Sequence, residues 1–128
     1  MMPDREPSAP RHILVADDEA IAAMALERFL TRKGYRVTTA VNGIEALEIH
    51  ERDPADVVVT DIRMPRGGGR ELIANLRSRD DHLPIVVMTG YMSLTDEEGI
   101  AANDRLVVLQ KPIEIERLLR IIRDFVDT

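Results

Sequence analysis

Val57-Val58-Val59-Thr60-Asp61 is the stretch that decides the fold: three consecutive β-branched apolar side chains, then a hydroxyl and a carboxylate. An unbroken apolar run, without polar alternation, suits a strand covered on both faces. Ile13-Leu14-Val15-Ala16, Ile85-Val86-Val87-Met88 and Leu106-Val107-Val108-Leu109 repeat the pattern. Tyr35 to Thr39 supplies a fifth strand, alternating and more polar. Helical patterns lie between the strands. The clearest is the last, with Ile115, Leu118, Leu119, Ile122, Phe125 and Val126 spaced to bury one stripe. The first runs from about Glu19 to Lys33, with Ile21, Ala25 and Phe29 on one face and Gly34 placed to end it. The fourth, within Leu94 to Asn103, is expected to be short or mobile, because Gly99 interrupts it. Strand and helix alternate five times, which predicts an α/β fold: a doubly wound five-stranded parallel sheet with helices on both faces.

Composition bounds what such a domain does. A chain of 128 residues is long enough for one buried core and too short for two. Its apolar share of 45% and charged share of 31% are those of an ordinary globular protein. The net charge of −6 repels phosphate backbones and anionic lipid, so a protein partner or a cation is favoured over nucleic acid or a membrane surface. With no cysteine, disulfides, thiol catalysis and cysteine-ligated metals are excluded. Met1 to Arg11 is charged and carries three prolines, which reads as a disordered leader before a domain spanning residues 12–127. The longest apolar run, Ala20 to Leu26, falls far short of the ~20 residues that span a bilayer. A cytoplasmic location is expected.

In an open parallel sheet the ligand crevice lies beyond the carboxyl ends of the strands. Four of the five strands end there in reactive groups: Asp17-Asp18-Glu19, Thr60-Asp61, Thr89-Gly90 and Gln110-Lys111-Pro112. The second strand, followed by Ala40 and Val41, offers none, which suits an edge strand in the order 2-1-3-4-5. Asp17, Asp18 and Asp61 then face one another and repel, raising at least one pKa unless a hard cation such as Mg²⁺ is held among them. Thr89 and Lys111 complete a phosphoryl-binding site, one as hydroxyl donor and one as ammonium. Each segment alone has a plainer reading. An Asp-Asp-Glu caps a helix, Thr-Gly is a common turn, and Lys-Pro ends a strand. Four such segments in chain order, each at a strand's carboxyl end, favour the chemical reading.

Together, Val15-Ala16-Asp17-Asp18-Glu19, Thr60-Asp61-Ile62-Arg63-Met64-Pro65, Met88-Thr89-Gly90-Tyr91 and Leu109-Gln110-Lys111-Pro112 resemble the four signature segments of response regulator receiver domains. The intervals between them fit as well, and the resemblance covers about His12 to Asp127. It implies that Asp61 takes a phosphoryl group from a phosphohistidine on a histidine kinase or histidine phosphotransfer protein. It further implies that Asp18 and Asp61 ligate Mg²⁺ directly, Asp17 through water, and Arg63 through its backbone carbonyl. Thr89 and Lys111 would bind the phosphoryl oxygens, Lys111–Pro112 would be cis, and Gly69 matches the glycine after the phosphoacceptor loop. A change of shape would then alter binding of a downstream protein target, the chain ending without room for an output domain.

Two features depart from that pattern. Val108 stands where such domains commonly carry Tyr or Phe, and Asn103-Asp104-Arg105 lacks the usual Gly-Ala approach to the last strand. Tyr91 is the expected substitute for the missing ring, with Leu94 to Asn103 as the responsive surface. The remaining candidates read as structural: His12, His50 and His82 are scattered, Gly67-Gly68-Gly69 is a flexible loop, and Met64, Met88 and Met92 pack. A phosphohydrolase with an aspartyl-phosphate intermediate is the main rival, but it wants an acid where Arg63 stands. A phosphorylation-independent binding module is disfavoured by the intact set of acids, Thr and Lys.

Overall fold

The computed structural model describes residues 10–90 and 103–127. Within them, β1 (His12–Ala16), β2 (Arg36–Ala40), β3 (Val57–Asp61), β4 (Ile85–Thr89) and β5 (Leu106–Gln110) form one sheet. The strands are parallel throughout and lie in the order β2-β1-β3-β4-β5, the order expected from where the reactive groups fall. The helices are α1 (Ala20–Arg32), α2 (Gly43–Arg52), α3 (Gly69–Arg79) and α4 (Ile115–Val126). Tyr91, the helix expected within Leu94 to Asn103 apart from Asn103, and the leader before Pro10 lie outside the described residues.

Side chains alternate across the sheet, so each continuous apolar run feeds two cores. Ile13, Val15, Val57, Val59, Val86 and Met88 pack with α1 and α4 on one face. Leu14, Ala16, Val58, Ile85 and Val87 pack with α2 and α3 on the other. The register keeps the sets in phase: Leu14 lies beside Val58, Val58 beside Ile85, and Ile85 beside Leu106. A slip of one residue would exchange the two faces along a whole strand.

α4 buries Leu118, Leu119, Ile122 and Val126, with Ile115 and Phe125 half-buried at the stripe's edges, as its spacing predicts. α1 corrects its expected face. Its buried residues are Ala23, Leu26 and Leu30, while Ile21 is 83% exposed, Ala25 is exposed and Phe29 is half-buried. Ala20 to Leu26 is apolar all round, so periodicity alone does not set the rotation of the helix. The helix stops where expected. Gly34 has φ +99°, its N–H donates to the Thr31 carbonyl and the Tyr35 N–H donates to Leu30, a Schellman arrangement that a left-handed glycine permits.

The glycine run after β3 makes close backbone approaches that its lack of side chains permits. A Cβ on Gly69 would stand 2.4 Å from the Asp61 carbonyl oxygen and 2.8 Å from Ile62 Cα. The Gly43 N–H donates to the Gly67 carbonyl, tying the start of α2 to this loop. Before β5, the Asn103 side chain accepts from the Arg105 N–H at 2.8 Å, forming a turn without Gly-Ala. The Arg77 guanidinium fixes that turn from α3, donating to the carbonyls of Leu83 at 2.6 Å and Arg105 at 2.9 Å. Val108 is half-buried against the core on the α2 and α3 side.

Candidate functional site

The parallel sheet delivers four reactive side chains to one rim. Asp61 is the last residue of β3 and Thr89 the last of β4, while Asp17 and Lys111 directly follow β1 and β5. Backbone bonds continue the sheet past its strands: the Asp17 N–H donates to Ala40, and the Lys111 N–H to Thr89. These bonds hold the two flanking residues at the level of Asp61. The Lys111–Pro112 peptide is cis, as the resemblance implied.

Asp61 sits at the centre and is 8% exposed. Its Oδ2 accepts from Lys111 Nζ at 2.6 Å, and its Oδ1 faces the Arg63 N–H at 3.4 Å. The neighbouring backbone is fixed too, since the Thr60 hydroxyl donates to the Asp61 carbonyl and the Gly69 N–H to Ile62. Asp17 and Thr89 are each 1% exposed.

The electrostatics follow from crowding and burial. Burial raises the Asp17 carboxyl above its ordinary value, against the Glu19 N–H and Lys111, which lower it; Asp61 and Glu19 add to the rise as like charges. The expected rise is therefore present, with desolvation ahead of repulsion as its cause. Burial opposes the Lys111 ammonium, but the hydrogen bond and charge of Asp61, with Asp17 and Glu19 beyond it, outweigh burial and raise its pKa.

Carboxylate oxygens of Asp17, Glu19 and Asp61 all lie within 4.8 Å of one another. Hard oxygen donors at this spacing, beside a buried acid that resists ionising alone, fit a divalent cation such as Mg²⁺. Asp18 is not in this group. It is exposed and lines a cleft of about 400 Å³ with Arg63, Arg70 and Glu71, beside the loop that follows Asp61. Glu19 is the member that sequence reasoning left out, although it stands in the same acidic run. His12, His50 and His82 join no such group among the described residues.

Comparison with known proteins bears on the fold and the family. The family model for the response regulator receiver domain matches residues 13–123. The chain is 40% identical over 114 residues to the response regulator MprA of Mycobacterium leprae, covering 87% of this chain and 49% of that protein. It is 30% identical over 115 residues to the transcriptional regulatory protein GlrR of Escherichia coli, covering 90% of this chain and 26% of that protein. The chain thus spans about half the length, or less, of these curated relatives. Among solved structures, a response regulator receiver protein from Sinorhizobium medicae superimposes with a TM-score of 0.80 at 31% identity, covering 93% of this chain and 96% of that one. The receiver domain of the hybrid histidine kinase CckA gives 0.75 at 27% identity, covering 90% and 98%.

Proposed function

The chain belongs to the response regulator receiver domain family, and from that premise we propose that Asp61 is its phosphoacceptor, taking a phosphoryl group from a phosphohistidine of a histidine kinase or histidine phosphotransfer protein. The observation that carries this reading is the contact of Lys111 Nζ with Asp61 Oδ2 at 2.6 Å, on a buried carboxylate among other acids at the carboxyl rim. An oxygen of Asp61 attacks phosphorus, the P–N bond breaks, a P–O bond forms, and the donor imidazole leaves to take up a proton. Attack of water on phosphorus reverses the modification and returns the Asp61 carboxylate. Both steps run in the domain's own site, without turnover of a small substrate.

A Mg²⁺ ion, when bound, would neutralise negative charge on the transferring phosphoryl group. Asp17, Asp18, Asp61 and the Arg63 carbonyl are its proposed donors, Asp18 and Arg63 from the adjoining cleft, with Glu19 a further carboxylate close to Asp17 and Asp61. Lys111 holds Asp61 in position before transfer and follows the charge onto the phosphoryl oxygens. Thr89, at the end of the adjoining strand, supplies a hydroxyl donor to the same oxygens. The modified site then biases a surface that binds a downstream protein. Tyr91 and Leu94 to Asn103 are proposed as that element because Val108, stiff at χ1 and small, cannot swing as a ring does. Among the described residues, no helix is long and apolar enough to cross a membrane.

Incubation with acetyl phosphate and Mg²⁺, followed by intact mass measurement, tests the assignment. One added phosphoryl group is expected, absent when Mg²⁺ is chelated and absent in Asp61→Asn. Equal labelling of wild type and the variant would reject Asp61.

A further inference from the structure

Glu19 occupies the N-cap position of α1, where Ser, Thr, Asp or Asn would bond the first turn. Its side chain makes no capping bond. The carboxylate turns instead toward the rim, with Oε1 3.8 Å from Lys111 Nζ. Its backbone is held for this, because the Glu19 N–H donates to Asp17 Oδ1 at 2.9 Å. A helix start that forgoes its cap while presenting a charge to a half-buried lysine breaks a local rule where chemistry gains from it.

We propose that Glu19 is a positioning residue for Lys111, gripping the ammonium from the α1 side while Asp61 grips it from β3. The inference rests on the phosphoacceptor reading and deepens it. Lys111 must stay at the mouth of the site through a reaction in which the charge on Asp61 changes. A single partner would release it when that carboxylate is neutralised. Two carboxylates on different elements keep it in place, and because Glu19 is 70% exposed at the side chain, its hold is weak enough for Lys111 to advance onto the phosphoryl oxygens. Asp18, one residue earlier, lines the adjoining cleft with Ile62 and Arg63 rather than the one lined by Glu19 and Lys111.

The test combines Glu19→Gln with Glu19→Asp and a stability cycle against Lys111→Met. At saturating Mg²⁺, Glu19→Gln should slow phosphorylation by acetyl phosphate about threefold, the scale of a solvent-facing ion pair, with Glu19→Asp recovering most of the loss. Mg²⁺ affinity, measured by calorimetry on unphosphorylated protein, is the control, because the Glu19 carboxylate also lies within 4.8 Å of those of Asp17 and Asp61; saturating Mg²⁺ in the rate assay takes any change in it out of the comparison. In thermal unfolding, Glu19→Gln should be more damaging with Lys111 present than in the Lys111→Met background, a coupling that a purely local helix effect would not show. Additive melting shifts with an unchanged rate would overturn the proposal. A loss of Mg²⁺ affinity without coupling would also overturn it, by making Glu19 a cation ligand. Absence of labelling in wild type would reject the phosphoacceptor reading, and the stability cycle would still decide whether Glu19 holds Lys111.

Discussion

The two ends of the sheet handle charge in opposite ways. At the amino end, His12 is fully buried and bonded on both ring nitrogens, to Thr38 Oγ1 at 2.8 Å and the Pro54 carbonyl at 3.1 Å. Its backbone N–H donates to Asp56 at 2.7 Å, and Arg36 pairs with Asp53 through both terminal guanidinium nitrogens. Opposite charges are paired there, and the bonds tie β1 to β2 through Thr38 and both strands to the segment before β3. At the carboxyl end, Asp17, Glu19 and Asp61 crowd around Lys111. An arrangement that serves stability alone has no use for surplus like charge in a partly buried place. The amino rim pairs its charges, and the carboxyl rim carries a surplus of negative charge around one lysine.

Substitution should separate the two rims. Asp61→Asn should abolish phosphorylation, the largest effect, while the fold persists with an unchanged or higher melting temperature, since one crowded carboxylate is lost. A variant that unfolds would make Asp61 a structural residue. His12→Ala should do the reverse. It opens a cavity and strips partners from Thr38 and Pro54, costing about 2–4 kcal/mol in denaturant unfolding, with labelling intact below the transition. Loss of labelling in a folded His12→Ala protein would blur the division between the rims.

Mg²⁺ should stabilise the protein by roughly 2.7 kcal/mol at about 100 times its Kd, as a ligand of the native state that relieves the carboxyl rim. Melting curves that ignore millimolar Mg²⁺ would remove that interpretation of the surplus charge. The smallest effect belongs to His50 on α2. Burial, then His12 and Arg79, lower its pKa, against Asp80 and Glu51, and its Nδ1 accepts from the Ala55 N–H at 3.0 Å. The unfolded chain takes up this proton more readily, so the His50 contribution is full above about pH 6.5 and is lost as pH falls below it. Melting temperatures followed from about pH 7 to about pH 5.5 should fall more in wild type than in His50→Gln. Parallel curves would show that His50 does not carry the effect.

The carboxyl rim was more legible in the sequence than the amino rim, for a physical reason. A parallel sheet sends every strand's carboxyl end to one place, so Asp17, Asp61, Thr89 and Lys111 are assigned to one rim once strand order is inferred from short runs. The bonds of His12 come from residues 26 to 44 positions away, in a loop and an edge strand that leave no local pattern. Its place at a strand start was readable, but its full burial was not. The rotation of α1 was hidden because Ala20 to Leu26 is apolar on every side. Glu19 was hidden by its neighbours, since in an Asp-Asp-Glu run only the backbone path decides which carboxylates turn toward the crevice. The glycines after β3 were visible as a run, but their tight fit against Asp61 and α2 depends on backbone approach rather than composition.

Locating the phosphoryl group tests the division between the rims most directly. Protein treated with acetyl phosphate and Mg²⁺ would be reduced with borohydride, which converts an acyl phosphate to an alcohol, then digested and mapped by mass spectrometry. We expect the reduced residue to be Asp61 alone. Reduction at another carboxylate, or phosphate retained on a histidine, serine or threonine with Asp61 unmodified, would contradict the assignment of the carboxyl rim as the site of phosphoryl transfer.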